Sequence, residues 1–347
     1  MNFTSDNAAG MHDDVLAALA QANPGHASSY GADDLSRRVE ERFAEIFERD
    51  VGVFMVATGT AANAVSLAAM TEPFGGVICH EEAHIVVDEC GAPEFYTGGA
   101  RLVGLPGDGC KLSPDTVSDA LARYSSANQH SIQPRVLSLT QATEAGRVYT
   151  VDEVSALAEV AHERGLSVQM DGARFGNAVA SLDCAPADIT WRAGVDVLSF
   201  GATKNGCLAA EAIIIFDRVK ADEVRFRRKR GGHLWSKARF LAAQLDAYLA
   251  NDNWLKWAGE ANACASELST GLSLLNSVEI AWPTEANEVF AIMPTELKTR
   301  FEDAGGAFYA WPGEPPRPLT SDEVLTRLVC AFSTTPKDVE DFLSKAV

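Results

Sequence analysis

Short apolar runs alternate with segments of helical periodicity through the first two thirds of the chain, and this alternation constrains the fold more than any single motif. Parallel neighbours need a crossover long enough to hold a helix, so such a pattern predicts an α/β fold, a mostly parallel sheet with helices on both faces. Asp33 reads as an N-cap, and Leu35, Val39, Phe43 and Phe47 follow at four-residue spacing. Residues 51–57 form an apolar run that passes through Thr58-Gly59-Thr60 into an Ala-rich helix ending near Met70. Further pairs follow: a strand at 76–79 before a helix near 86–90, and a strand at 102–105 before a helix opened by Ser113-Pro114. Next come a strand at 136–140, a helix at 152–164 closed by Gly165, and a strand at 166–170.

One connection departs from this pattern. Only about ten residues separate the apolar runs 195–200 and 212–216, too few for a parallel crossover, so one strand of the sheet should run antiparallel. After Asp217 a basic cluster (Arg225, Arg227, Arg228, Lys229, Arg230, Lys237, Arg239) leads into a long helix at 235–249. A chain of 347 residues with 47% hydrophobic side chains usually divides into lobes. The reading is a large domain over 1–250 and a smaller C-terminal α/β domain over 251–347. The smaller one should hold strands at 289–293, 307–311 and 325–332 and a last helix at 337–345.

Forty-eight acids against 29 bases give a net charge of −19, which would repel a phosphate backbone or an anionic membrane, so neither is an expected partner. The seven cysteines are scattered and include no CxxC pair, which fits a reducing cytoplasm better than a disulfide scaffold or a zinc ribbon. The N-terminus has neither the basic nor the apolar region of a signal peptide, and no run approaches ~18 apolar residues, so a soluble protein is expected.

Two neighbouring strand runs end on charge: Met170-Asp171-Gly172-Ala173-Arg174 and Ser199-Phe200-Gly201-Ala202-Thr203-Lys204-Asn205. Ligands of an open parallel sheet sit outside the carboxyl ends of its strands, so Asp171 and Lys204 should face one pocket. A desolvated lysine becomes a nucleophile towards carbonyls, and an aspartate can hold a protonated pyridine nitrogen. Together they are the minimum for running pyridoxal 5'-phosphate as an electron sink. A buried Asp–Lys ion pair without catalytic duty is the plain alternative. Thr58-Gly59-Thr60 could direct the N–H groups of a helix start at the cofactor's phosphate, although such a turn is more often merely an N-cap.

His80-Glu81-Glu82-Ala83-His84 matches the HExxH zinc pattern, which opens a different reading, a zinc hydrolase using His80 and His84. The context argues against it: residues 77–79 read as a strand ending at His80, whereas the motif belongs inside a helix with a third ligand downstream. No metal is expected. His84 at such a turn is either structural or placed to stack on a flat cofactor or move a proton. Arg327 in an apolar run either forks onto a substrate carboxylate or forms a structural salt bridge. The basic cluster is a solvated helix face, a subunit contact or a phosphate reach.

In this order, Phe3-Thr4-Ser5-Asp6-Asn7, Tyr30-Gly31-Ala32-Asp33-Asp34, Thr58-Gly59-Thr60-Ala61-Ala62-Asn63, the 80–84 segment, Asp171-Gly172-Ala173-Arg174, the 199–206 segment and Arg327 together resemble the threonine aldolases. These are pyridoxal-phosphate lyases of the aspartate aminotransferase-like fold type I. The resemblance implies that Lys204 carries the cofactor, Asp171 pairs with the ring nitrogen, Arg174 supports the ring hydroxyl, and Gly59 and Thr60 seat the phosphate. It makes His84 a ring-face residue and candidate base, and Ser5 and Arg327 the binders of the amino-acid carboxylate. It further implies a homotetramer with sites shared between subunits, which would bring Tyr30 and the 227–230 run to a neighbour's site.

Family members often carry a second active-site imidazole in an Asn-Thr-His-type segment. This chain has Thr140-Gln141-Ala142-Thr143-Glu144-Ala145-Gly146 there, most similar to the low-specificity L-threonine or phenylserine type. The expected reaction is cleavage of an L-β-hydroxy-α-amino acid to glycine and an aldehyde. A β-eliminating lyase or a racemase is the alternative within the cofactor class, and a non-catalytic α/β protein lies outside it.

Overall fold

The structure, a computed structural model, describes residues 1–217 and 221–346. Seven strands, β1 (Gly52–Val56), β2 (Gly75–His80), β3 (Arg101–Leu105), β4 (Gln133–Thr140), β5 (Ser167–Gly172), β6 (Val197–Gly201) and β7 (Glu211–Ile215), form one sheet. Their order is β1-β7-β6-β5-β4-β2-β3. The contiguous set from β3 to β6 is parallel, and β7 runs antiparallel to both β6 and β1. This is the single reversed strand that the short connection predicts. β6 and β7 are buried at every position, as strands covered on both faces must be, and so they read as continuous apolar runs rather than alternating ones.

This order brings the carboxyl ends of β4, β5 and β6 to one edge. β1 runs the same way and feeds the helix Gly59–Met70, whose first turn opens at that edge. The helix is buried along most of its length because its face is almost entirely alanine, valine and leucine.

A second sheet holds β8 (Glu279–Ile280), β9 (Glu288–Pro294), β10 (Tyr309–Ala310) and β11 (Glu323–Val329) in the order β10-β11-β9-β8, antiparallel throughout. Phe301, Phe308, Leu328 and Phe342 fill its core, and so does Phe3 from the opposite end of the sequence. Phe3 donates its N–H to Ala307 O at 2.7 Å and accepts from Val329 N–H at 2.9 Å, so the chain begins on the small sheet.

Some local expectations shift. The helix expected from 235 begins only at Arg239, after a stretch that includes the glycine pair 231–232, and the strand expected over 307–311 is reduced to Tyr309–Ala310. The helix expected near 86–90 is the single turn His84–Val87. The last helix is Pro336–Leu343, set by a capping box between Thr335 and Asp338. A 21-residue helix, Asn253–Ser273, has no counterpart in the sequence reading; its Trp254 and Trp257 enter the large core while Leu268 and Leu272 enter the small one. No helix among the described residues is long and apolar enough to cross a membrane.

Candidate active site

A cavity of about 310 Å³ opens at the carboxyl ends of β4 to β6. Lys204 and Asp171 both line it, with Gly59 and Thr60, His84 and Arg174.

Lys204 lies in a 3-10 turn, Thr203–Asn205, that closes on Gly206 at φ 111°, a left-handed conformation favouring glycine. Three groups pin the turn. Asn205 Nδ2 donates to Tyr248 Oη and to Trp254 O, each at 2.8 Å, and Glu211 Oε2 accepts from Ala202 N–H at 2.8 Å. Glu211 is buried at the start of β7. Burial lifts its carboxyl to about 7, against the opposing pull of Thr203, the Ala202 N–H and the Lys204 charge.

Asp171 ends β5 with 4% of its surface exposed. Its Oδ2 accepts from Asn63 Nδ2 at 2.7 Å and its Oδ1 from Ala173 N–H at 3.0 Å. Asn63 is held in turn: its Oδ1 accepts from Gln169 Nε2 at 3.1 Å, and its Nδ2 also lies 2.9 Å from Glu89 Oε1. That oxygen accepts from His84 Nδ1 at 2.9 Å as well, so Asp171, Asn63, Glu89 and His84 form one continuous network along the wall. The hydrogen bond to Glu89 raises the His84 pKa, with Asp171 adding to the effect against partial burial. Asn63 and Glu89 carry no signal of their own in the sequence, because their partners lie on other elements.

At the opposite wall, Thr58 caps the helix Gly59–Met70 by accepting from Ala61 N–H at 3.1 Å, which leaves the first-turn N–H groups of Gly59 and Thr60 outside the helical ladder. A Cβ added to Gly59 would meet nothing within 4 Å. Gly59 is therefore required neither by packing nor by a positive φ, and the open space in front of a helix N-terminus fits a phosphate. A carboxylate held by neutral donors, a half-buried lysine and this cradle on one wall together match the donor set of a pyridoxal phosphate site.

Arg174 also lines the cavity, but its guanidinium is engaged on other sides. Nε and Nη2 donate to Asp6 at 2.8 and 3.1 Å, and Nη1 lies 3.1 Å from Glu288 Oε2. Burial alone would lower its pKa, and the two carboxylates overcome that and hold the cation charged. Arg327 is not in this wall. It projects from β11 with Nη1 3.7 Å from Glu288 Oε1, its guanidinium 4.4 Å above the Trp311 ring, and Nε buried without a partner. Ser5 caps the turn Asp6–Ala8 by accepting from Asn7 N–H at 3.1 Å and faces a separate small pocket, whereas its neighbour Asn7 reaches the main one. Tyr30 is half exposed outside the cavity, with Lys229 Nζ 4.8 Å above its ring.

His80 and His84 are not brought together on one ligand. His80 ends β2, as the strand-then-turn reading expects, with Nε2 3.1 Å from Gly107 O and Nδ1 accepting from Glu82 N–H at 3.1 Å. Among the described residues no group of three or more His, Cys, Asp or Glu is placed to hold a metal ion.

Comparison with known proteins places this geometry. Two proteins named low specificity L-threonine aldolase, from Pseudomonas aeruginosa and from Pseudomonas sp. (strain NCIMB 10558), are 44% and 43% identical to the chain; each alignment covers 90% of this chain and 90% and 89% of theirs. The solved structure of a threonine aldolase from Leishmania major superposes with a TM-score of 0.92 at 26% identity, covering 99% of this chain and 98% of that one. A serine palmitoyltransferase from Sphingomonas wittichii shares the fold at a TM-score of 0.74 and 14% identity, covering 100% and 86%. Residues 2–296 match the beta-eliminating lyase family, and the chain belongs to it.

Proposed function

We propose that the protein is a pyridoxal-phosphate-dependent aldolase that cleaves L-threonine, L-allo-threonine and related L-β-hydroxy-α-amino acids, phenylserine included, to glycine and an aldehyde. The observation that carries this reading is the single cavity that Lys204, Asp171 and the Gly59-Thr60 helix start all line. When bound, pyridoxal phosphate supplies an electron sink for the pair released from the substrate's α-carbon.

The chain's own residues do the rest. Lys204 would hold the cofactor and exchange it for the substrate amine. Asp171, held in place by hydrogen bonds from Asn63 and the Ala173 N–H, would face the ring nitrogen. Gly59 and Thr60 would seat the phosphate, and His84, oriented by Glu89, would flank the ring. Arg327, with Ser5, would take the substrate carboxylate at the margin of the site, since neither lines the cavity of Lys204 itself. The buried, unpartnered Nε of Arg327 supports that role, since a carboxylate offers the missing acceptor. Holding that group fixes which α-carbon bond aligns for cleavage. Arg174 reaches a ring hydroxyl only from a side not engaged by Asp6 and Glu288.

We further take the working unit as a cytoplasmic homotetramer, with Tyr30 and the 227–230 run serving a neighbour's site. Tyr30 lies outside its own cavity and carries an exposed ring, which supports this. For the division into lobes of 1–250 and 251–347, the support is that the two sheets separate between β7 and β8; Phe3 crosses to the small core, and the helix Asn253–Ser273 serves both.

The test is incubation with L-threonine, L-allo-threonine and phenylserine, assaying glycine and aldehyde. Ammonia with a keto acid would instead indicate elimination, and loss of optical activity without fragments would indicate racemisation. Lys204→Ala should abolish turnover and the bound chromophore while leaving the far-ultraviolet circular dichroism unchanged. Normal turnover in that variant overturns the assignment.

A further inference from the structure

We propose that Glu144 is the acid–base residue of this site, taking the proton of the substrate's β-hydroxyl; the inference rests on the aldolase reading above. Glu144 lies just beyond β4 in the segment 140–146, where it is the one ionisable side chain. Its Oε1 accepts from the His84 backbone N–H at 2.9 Å and from Thr140 Oγ1 at 2.8 Å, which fixes the carboxyl against the wall. Its Oε2 is buried and has no partner. An unpaired carboxyl oxygen in such a place is costly unless a ligand completes it.

Position strengthens the case. Glu144 lines the cavity that holds Lys204 and also a second cavity of about 450 Å³, and it is the residue the two have in common. Trp282, Trp311, Pro315 and Pro316 give the second cavity flat apolar walls. A substrate with its α-carbon beside Lys204 and its side chain in the second cavity carries its β-carbon past Glu144. That path suits side chains larger than methyl, aromatic ones included.

The competing groups are engaged elsewhere. His84 gives Nδ1 to Glu89, and that carboxylate keeps the imidazole protonated to higher pH, the wrong state for accepting a proton. Glu89 takes His84 and Asn63 on Oε1 and, like Glu144, leaves Oε2 without a partner, but it lines only the cavity of Lys204 and not the second one; Glu211 is held by the turn that presents Lys204. Glu144 has the opposite bias to His84. Burial lifts its carboxyl to about 7 against the hydrogen bonds from His84 and Thr140, so near neutral pH an anion and a matched proton affinity coexist. The charged and titratable groups around it are Asp171 on β5, Arg174 after it, Cys79 on β2, Cys110 in the 108–110 turn and Tyr149, and along the second cavity His80, Glu81, Glu82, Asp108 and Glu314. His84 and Lys204 share its cavity.

The step balances without further reagents. The β-oxygen's proton passes to Glu144, the O–H electron pair becomes the second bond of the aldehyde carbonyl, and the Cα–Cβ bond breaks with its pair remaining on the α-carbon side. A proton delivered to Cα from solvent then completes glycine, and Glu144 gives its own proton back to solvent, so that the carboxylate is restored and no net proton is gained or lost.

Glu144→Gln in the cofactor-loaded enzyme tests this, since an amide oxygen still accepts from His84 N–H. The expected result is a fall in kcat/KM for L-threonine and phenylserine of roughly 10²- to 10³-fold, the range of one general base. Exchange of glycine's α-hydrogen with deuterated solvent, which involves no β-hydroxyl, should persist at the wild-type rate. The wild-type limb of kcat/KM rising through neutral pH should vanish in the variant. In the infrared, two buried carboxyls, Glu144 and Glu211, should titrate near neutrality in wild type, and Glu144→Gln should remove one of the two protonated-carboxyl contributions and leave that of Glu211. Glu144→Asp, which restores a carboxylate on a shorter stem, should recover part of the rate and the limb, and it serves if the glutamine variant folds poorly. Retention of rate and pH limb in Glu144→Gln overturns the proposal, as does an equal loss of glycine exchange, which would make Glu144 purely structural. Wild-type enzyme that cleaves no β-hydroxy amino acid overturns the aldolase reading itself and this inference with it.

Discussion

Arg174 grips Asp6 through two hydrogen bonds, Nε to Oδ2 at 2.8 Å and Nη2 to Oδ1 at 3.1 Å, across 168 positions of sequence. The pair joins the residues just after β5 to the start of the chain, whose Phe3 is anchored in the small sheet. It thus ties the two sheets together at the cavity wall, with Glu288 of β9 against Arg174 Nη1.

Asp6→Asn should be destabilising, because it leaves a buried guanidinium facing one carboxylate instead of two. Removing one partner of such a pair costs about 3 kcal/mol, measurable by urea unfolding at neutral pH. Burial alone would raise the Asp6 pKa, but Arg174 and Lys204 bring it below the usual 3.8. A depressed folded value means that this stabilisation is fully present above the unfolded pKa and is lost as pH falls through the folded one. Wild type and variant should therefore converge in strong acid. A constant gap at every pH would show that the ionic part is negligible.

Gly59→Ala separates folding from cofactor binding. The added methyl meets nothing within 4 Å, and alanine is the better helix former by about 1 kcal/mol, so the cofactor-free variant should be as stable as wild type or slightly more so. The same methyl would occupy the space in front of the helix start. Titration with pyridoxal phosphate should show binding weakened about tenfold or more, a loss of at least about 1.4 kcal/mol. Unchanged binding would remove the phosphate from this position.

Strand-end reasoning from the sequence reaches Asp171, Lys204 and the reversal at β7, because each depends on local spacing and on the geometry of parallel sheets. The Asp6–Arg174 pair is invisible to it: nothing near Arg174 in sequence hints at a carboxylate 168 positions away. The same holds for Asn63, which looks like one more residue of an Ala-rich helix until Glu89 and Asp171 are seen to share its amide. The helix Asn253–Ser273 falls where the sequence reading expects a boundary, yet it contributes side chains to both cores. Its apolar positions at 254, 257, 258, 261, 264, 265 and 268 follow helical spacing and would have revealed it. The sequence alone leaves Arg327 between a substrate and a salt bridge; the structure gives it Glu288 on one side and an unpartnered Nε on the other.

Glu89→Gln should lower the His84 pKa. The hydrogen bond that His84 donates to Glu89 is the largest cause of its upward shift, and a neutral amide removes the charge that favours imidazolium. Following the His84 ring protons by NMR across neutral pH reads this directly, and the titration should move towards or below the ordinary value of 6.5 because partial burial then acts with less opposition. An unmoved midpoint would mean that Asp171 supplies the field instead.

Glu211→Gln makes the reverse case, a carboxyl raised rather than lowered by folding. Its folded value of about 7 against 4.5 unfolded means the folded protein binds the extra proton across that window. Stability from this group is therefore greatest at low pH, declines as pH rises between those values, and is lost above the upper one. The size of the decline is on the order of 3 kcal/mol for a shift of this kind. An amide oxygen can still accept from Ala202 N–H but never ionises, so the cofactor-free variant should match wild type near pH 5 and exceed it near pH 8. Urea midpoints at the two pH values decide the matter. If Glu211→Gln is weakened equally at both, the carboxylate is the form the fold requires, and the turn carrying Lys204 depends on a negative charge behind it.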